Sequence, residues 1–229
     1  AAGSSTETLC EKGHYTSTAG QSTCLLAEPG TKVPTKGWSK EPEKCPVGTY
    51  SGSGAAACTP CTNGTYADGS GTVSCKSAEA GSFVAKRGAS NDTLCEPGYY
   101  SPGQGALACI ECPVGSFSSG YGATICTPAD LGNFVNMTGA VESTPCPVGR
   151  YTDTEGQSSC LPANPGSFVN ESGANKSTLC APGRFSGSAF SSCLDCEAGR
   201  FAADKGTDTC KLAETGSFVS GKGATEQKL

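Results

Sequence analysis

This chain of 229 residues contains one histidine, one tryptophan and one methionine. A single His leaves little material for general acid–base chemistry or for His-built metal sites. It stands as His14 between Gly13 and Tyr15, in a turn, and reads as exposed rather than catalytic. Leu, Ile, Val and Phe together make 31 of the 229 residues, below the roughly 20% under which an uncrosslinked chain is expected to stay disordered. No apolar run reaches the length of about 18 residues that crosses a bilayer, so no direct membrane insertion of this segment is expected. The formal net charge is −5, and without a basic stripe to neutralise phosphates nucleic-acid binding is excluded. No Gly-rich stretch precedes a helix as a phosphate loop requires, and the acidic residues form no recurring pair. The sequence therefore assigns no catalytic residue, no cofactor and no metal, and predicts a protein that is not an enzyme.

What the chain does have is a period. Counting every seventeen residues from Cys95 gives Cys112, Ala129, Cys146, Ala163 and Cys180, and counting backwards gives Ala78 and Cys61. With slips of one residue the same slot falls at Cys10, Ala27, Cys45, Cys196 and Ala213, so thirteen modules fill the chain from Cys10 to Leu229. Three residues after every slot comes a glycine, from Gly13 to Gly216, and two further on an aromatic ring, with Lys32 the exception. A second glycine usually follows at the tenth position, as in Gly71, Gly88 and Gly139. Glycines at fixed offsets around a ring predict turn, short strand, turn, with the ring as the module's buried side chain. One ring and one crosslink do not offset the entropy of ordering seventeen residues, so each module must stack on its neighbours. The expected fold is small, disulfide-rich and all-β: an elongated tandem array of about thirteen hairpin-like modules.

Eight modules begin with Cys, and each has a second Cys thirteen or fourteen residues on. The pairs are Cys10 with Cys24, Cys45 with Cys58, Cys61 with Cys75, Cys95 with Cys109, Cys112 with Cys126, Cys146 with Cys160, Cys180 with Cys193 and Cys196 with Cys210. In the other five modules both cysteines are missing together, as a bonded pair would be lost. Cys10 with Cys24 and Cys146 with Cys160 lie isolated between Cys-free stretches, so their near partners are each other. Eight local disulfides follow, and with them an oxidising, extracellular compartment, secreted or on a cell-surface appendage. The rival is zinc or redox chemistry at the C-x-x-C spacings Cys58 to Cys61, Cys109 to Cys112 and Cys193 to Cys196. Zinc needs four soft ligands around one ion, which one His and cysteines divided module by module supply poorly.

The alanine modules replace the cystine with something else. One position after the ring they carry Val33, Val84, Val135, Val169 and Val219, where cystine modules have Ser, Thr or Ala. Either Val fills the space of a disulfide, or ring and Val give the strand two apolar faces, one free to bind a neighbouring chain. Five Asn residues begin N-x-Ser/Thr sequons: Asn63, Asn91, Asn136, Asn170 and Asn175. They are candidate sites for covalent N-glycans in a secreted protein. Trp38, beside the charged run from Lys36 to Lys44, marks the least regular module. A lone Trp anchors a partner or stacks on a sugar; the other reading is packing around an insertion.

The pattern C-P-V-G-x-Tyr/Phe at Cys45 to Tyr50, Cys112 to Phe117 and Cys146 to Tyr151, closed by a Cys thirteen or fourteen later, resembles the ephrin-receptor-like cysteine-rich repeat. It also resembles the first submodule of TNF-receptor cysteine-rich domains. The resemblance implies that the two cysteines of each module bond to one another. The second, crosslinked TNF-receptor submodule is missing, so the resemblance does not extend to cytokine binding. Grouping modules divides the chain into a partial module at 1–9, a cystine module with the irregular alanine module at 10–44, and units at 45–94, 95–145, 146–179 and 180–229. Residues 1–9 match the second half of an alanine module, and Leu229 precedes the next slot by one residue; two readings account for this equally, end-to-end self-association into a filament and truncation of a longer polypeptide. The expected function is an extracellular structural repeat protein, subunit or segment of a filament, stalk or coat. The alternative is a receptor ectodomain whose array spaces or presents a ligand site.

Overall fold

The computed structural model describes residues 8–229; residues 1–7 of the partial module expected at 1–9 lie outside the described residues. Every strand is two residues long, and among the described residues there is no helix. Each strand that carries a ring position pairs antiparallel with the two residues before the next slot. Thus His14–Tyr15 pairs with Leu25–Leu26, and Ser167–Phe168 with Thr178–Leu179. By contact the chain divides into two units. The first holds the residues up to Glu96 with Tyr100–Ile110 and Tyr121–Ile125; the second holds Pro97–Tyr99, Glu111–Gly120 and Cys126–Leu229.

The turn that starts each module has a local cause. The Thr31 N–H donates to Glu28 O (3.0 Å) across Pro29 and Gly30, and Ser167 N–H to Asn164 O (2.9 Å) across Pro165 and Gly166. Proline second and a glycine with φ near +83° third is the type II signature. This glycine then bonds forward, out of its own module. In the first unit Gly30 N–H donates to Ser51 O (2.9 Å), Val33 N–H to Ala55 O (2.9 Å), and Gly54 N–H returns to Ala27 O (2.7 Å). In the second unit the same three bonds join Gly132 to Thr152 (3.0 Å), Val135 to Gln157 (3.0 Å) and Gly156 to Ala129 (2.8 Å). A fourth closes the hairpin, from Cys45 N–H to Gly30 O and from Cys146 N–H to Gly132 O, each 2.8 Å.

The core is made of small side chains, not of rings. The slot residues Ala27, Cys45, Cys61, Ala129, Cys146 and Cys180 are fully buried, and the position after the ring is buried in every module but the first, where Thr16 is half-buried. All five valines at that position are buried, and so are Ser51, Ser101, Ser118, Thr152 and Ser186. The rings were expected inside, but most remain half-exposed on the hairpin surface. The position after the ring points the other way, as alternation along a strand requires, and it takes the interior. Valine therefore has no free face, which removes the reading in which it binds a neighbouring chain. Buried hydroxyls find carbonyls: Ser51 Oγ donates to Thr31 O (2.7 Å), Ser186 Oγ to Ser167 O (2.8 Å) and Thr152 Oγ1 to Asn133 O (3.2 Å). Each of these carbonyls belongs to the preceding module, so burial of the hydroxyl adds a further tie between modules.

Backbones two modules apart also touch. A Cβ placed on Gly132 would run into the carbonyl of Gly173, and one on Gly13 into that of Gly54. With φ at +79° and +81° these positions are strained for any L side chain as well. Gly132→Ala is therefore expected to destabilise the second unit by about 2–5 kcal/mol, the left-handed penalty plus overpacking. Gly120→Ala, with nothing within 4 Å of the added Cβ, is expected to stay within about 0.5 kcal/mol of the parent. Opening free energies from native-state hydrogen exchange check both.

Candidate interaction surface

Each module has two unlike faces, defined by where its backbone groups point. Towards the next module it presents the N–H of its turn glycine, the N–H after the ring and the carbonyl of its slot. Towards the previous one it presents the carbonyl after the ring, the N–H of its loop glycine and the carbonyl one residue later. Two donors and an acceptor thus meet two acceptors and a donor. In the last module the forward groups are Gly216 N–H, Val219 N–H and Ala213 O. Gly216 is exposed and Phe218 is 52% exposed, where the preceding ring Phe201 is half-buried. In the first complete module the backward groups are Thr16 O, Gly20 N–H and Gln21 O.

The cystines lie against this backbone. Cys45 bonds Cys58, Cys61 bonds Cys75, and the remaining six pairs likewise close within single modules, with Cα separations of 5.6–5.8 Å. No described cysteine is free. The C-x-x-C neighbours Cys58 and Cys61 thus belong to different disulfides. Among the described residues no group of three or more His, Cys, Asp or Glu is placed to hold a metal ion. Cys146 Sγ lies 4.0 Å from Thr152 Oγ1, so the slot sulfur abuts the position after the ring. Where the slot is alanine, the position after the ring is valine, and it is buried in all five such modules. The second half of the cystine is replaced by a hydrogen bond in two modules. Asp92 Oδ2 accepts from Glu79 N–H (3.4 Å) and Gln227 Oε1 from Glu214 N–H (2.8 Å), each joining the second-cysteine position to the residue after the slot.

Surface charges pair in register. Lys36 meets Glu11 (2.6 Å) and Lys222 meets Glu197 (2.9 Å), both between consecutive modules at matching offsets. Within hairpins Lys76 meets Asp68 (2.7 Å) and Arg184 meets Asp195 (2.7 Å). Lys32, the one ring position without a ring, pairs across its hairpin with Glu43 (3.4 Å). Hydrogen bonding and charge from Lys36 hold the Glu11 carboxyl below its ordinary value, and Lys76 does the same for Asp68. Asp68 in turn raises Lys76, and burial raises the Tyr66 phenol.

The other sequence candidates fall apart from one another. Trp38 occupies the place after the loop glycine, is half-buried, bridges Tyr15 in parallel and donates from Nε1 to Glu41 O (3.2 Å). It lines an open hollow of about 620 Å³ with Thr16, Thr18 and Gln21. His14 lies near Lys12 O (3.3 Å). Asn63, Asn91, Asn136, Asn170 and Asn175 are all exposed. The complementary module faces were not foreseen; the recurrence of the second glycine was their one trace in the sequence.

Three measurements follow from this geometry. Non-reducing peptide mapping is expected to return Cys61 with Cys75 and Cys112 with Cys126; a Cys58–Cys61 link, free thiols or stoichiometric zinc would refute the pairing. In hydrogen exchange, Cys146→Ala with Cys160→Ala, a cost of about 3 kcal/mol for a loop of this length, is expected to speed opening over residues 129–174. Residues 196–210, held by their own cystine, should keep their protection. Separately, the Asp68 carboxyl is expected to titrate below the usual aspartate range by NMR, and Lys76→Ala to return it there. Because the folded value is lowered, the pair's contribution is present above the ordinary carboxylate range and fades as pH falls through the lowered midpoint. On the Lys76 side it is lost as pH rises through the raised one.

Comparison with known proteins adds one relationship. Residues 48–95 and 132–180 match the family model described as tyrosine-protein kinase ephrin type A/B receptor-like. Each match begins on a turn glycine, Gly48 or Gly132, and ends on a slot cysteine, Cys95 or Cys180. No curated protein matches the chain. The matching family is a receptor-like cysteine-rich module and not a catalytic one, and the chain is a disulfide-rich array of repeated modules that is ephrin-receptor-like at residues 48–95 and 132–180.

Proposed function

We propose that this chain is an extracellular structural repeat protein, a segment or subunit of a surface filament, stalk or coat, in which copies add head to tail. The observation that carries this reading is the complementarity of the two module faces. Gly216 N–H, Val219 N–H and Ala213 O of one copy match Thr16 O, Gln21 O and Gly20 N–H of another, in the arrangement that joins Gly132, Val135 and Ala129 to the following module. Such a contact uses two different surfaces on each copy, so it is heterologous and builds an open filament rather than a closed dimer. Eight disulfides inside single modules support an oxidising, extracellular setting. The ephrin-receptor-like match supports the same setting.

Two glycines make the assembly testable without a steric clash inside the protomer, each Ala costing it only the left-handed backbone strain of about 1–2 kcal/mol at φ +83° and +90°. A Cβ on Gly199 or Gly216 meets nothing within 4 Å in the chain itself, yet equivalent glycines elsewhere abut a backbone carbonyl two modules on. In an assembled filament those carbonyls would come from Gly20 and Gly37 of the next copy. Sedimentation velocity and electron microscopy of the purified chain are expected to show filaments that lengthen with concentration. Gly199→Ala with Gly216→Ala is expected to abolish them while disulfides and hydrogen-exchange protection of residues 129–195 persist. A parent chain that stays monomeric at high concentration would overturn the assembly and favour an array that spaces a ligand site in a receptor ectodomain.

A further inference from the structure

Of the five sequons, the structure separates one from the rest. Asn63 lies inside the Cys61–Cys75 loop, and its sequon hydroxyl, Thr65 Oγ1, donates to Thr62 O (2.7 Å). Asn91 uses its own amide, donating from Nδ2 to Asp92 O (3.0 Å) while Oδ1 accepts from Ser90 (3.3 Å). The hydroxyl for Asn170 belongs to Ser172 and is engaged with Cys146 O of the preceding module (2.9 Å). That for Asn175 belongs to the half-buried Ser177. At Asn136 both the amide and the Thr138 hydroxyl are exposed, and neither side chain has a partner among the described residues. Asn136 also lies between Cys126 and Cys146, outside every disulfide loop, so no crosslink withdraws it while the chain folds. Beside it the loop exposes Met137 (62%) and Val141 (49%), apolar surface with no protein cover.

We propose that Asn136 carries an N-linked glycan whose first sugars lie over Met137 and Val141. The donor is a polyprenyl-pyrophosphate-linked oligosaccharide. The Asn136 amide nitrogen bonds to the anomeric carbon, the carbon–oxygen bond to the pyrophosphate breaks, the lipid pyrophosphate leaves with the electron pair, and the amide gives up one proton. The Thr138 hydroxyl is the sequon group on which the transferring enzyme depends. This inference rests on the extracellular reading above, because the donor is met only in the secretory pathway.

The test is glycopeptide mass spectrometry of the full chain recovered from the medium of secreting eukaryotic cells, with its disulfides mapped in the same sample. A glycan at Asn136 is expected, with loss of one glycan increment in both Asn136→Gln and Thr138→Ala and retention in Thr138→Ser. Met137 is the chain's one methionine, so its peroxide oxidation reports the cover directly: slower in the parent than in Asn136→Gln. Equal oxidation rates with the glycan present would overturn the cover. An unmodified Asn136 in secreted, disulfide-bonded protein would overturn the glycan and leave the extracellular reading intact. A chain retained in the cytosol with free thiols would overturn both.

Discussion

The approach of one backbone to another two modules on sets the terms for everything else in each unit. Where Gly132 faces the Gly173 carbonyl there is no volume for even a methyl group. Such closeness lets up to three backbone bonds span a junction, for example the set from Gly30, Val33 and Gly54, and it leaves an interior that Cys, Ala, Ser, Thr and Val fill. Ala189, the one described non-glycine residue with positive φ (62°), shows which half of the contact tolerates a side chain. It stands at the loop glycine position and offers its carbonyl to Gly149 while its own Cβ points elsewhere. The turn glycine has no such substitute anywhere in the thirteen modules.

A small-residue core cannot draw enough from apolar burial, and the modules make up the difference in two chemically distinct ways. Cystine modules constrain the unfolded chain by a local loop, and three of them use a buried hydroxyl to reach the module before, from Ser51, Thr152 and Ser186. Alanine modules exchange both for valine packing and, at Asp92 and Gln227, a side-chain bond to the backbone. These two solutions fit the same backbone because the slot sulfur and the side chain after the ring share one space.

Period, slot and pairing were legible because each leaves a mark on residue type. Glycine is forced by positive φ, and a disulfide is recognisable by the joint loss of its halves. Hairpins were legible from the glycine and ring spacing. The direction of the ring was not, since alternation along a two-residue strand says that neighbours oppose each other but not which one faces inward. Backbone bonds between modules left no mark beyond the recurring second glycine, because a carbonyl accepts equally well from any residue: Thr72, Ala89 and Gln157 all serve at one position. Trp38 stood out by type yet occupies that same ordinary place, with the irregularity falling after it. Its Nε1 bond to Glu41 is local.

The alternation of crosslinked and uncrosslinked modules also fixes how such a chain would yield under load. Tension applied along the backbone cannot open the contour enclosed by a disulfide, so a cystine module such as that from Cys146 releases only the few residues outside its loop. An alanine module has no such short circuit, and its seventeen residues can pay out to roughly 60 Å. The modules from Ala27, Ala78, Ala129, Ala163 and Ala213 are therefore the compliant links. They are separated by inextensible ones, so a pulled chain lengthens in discrete steps at fixed places and keeps its cystine modules as anchors from which each step can refold.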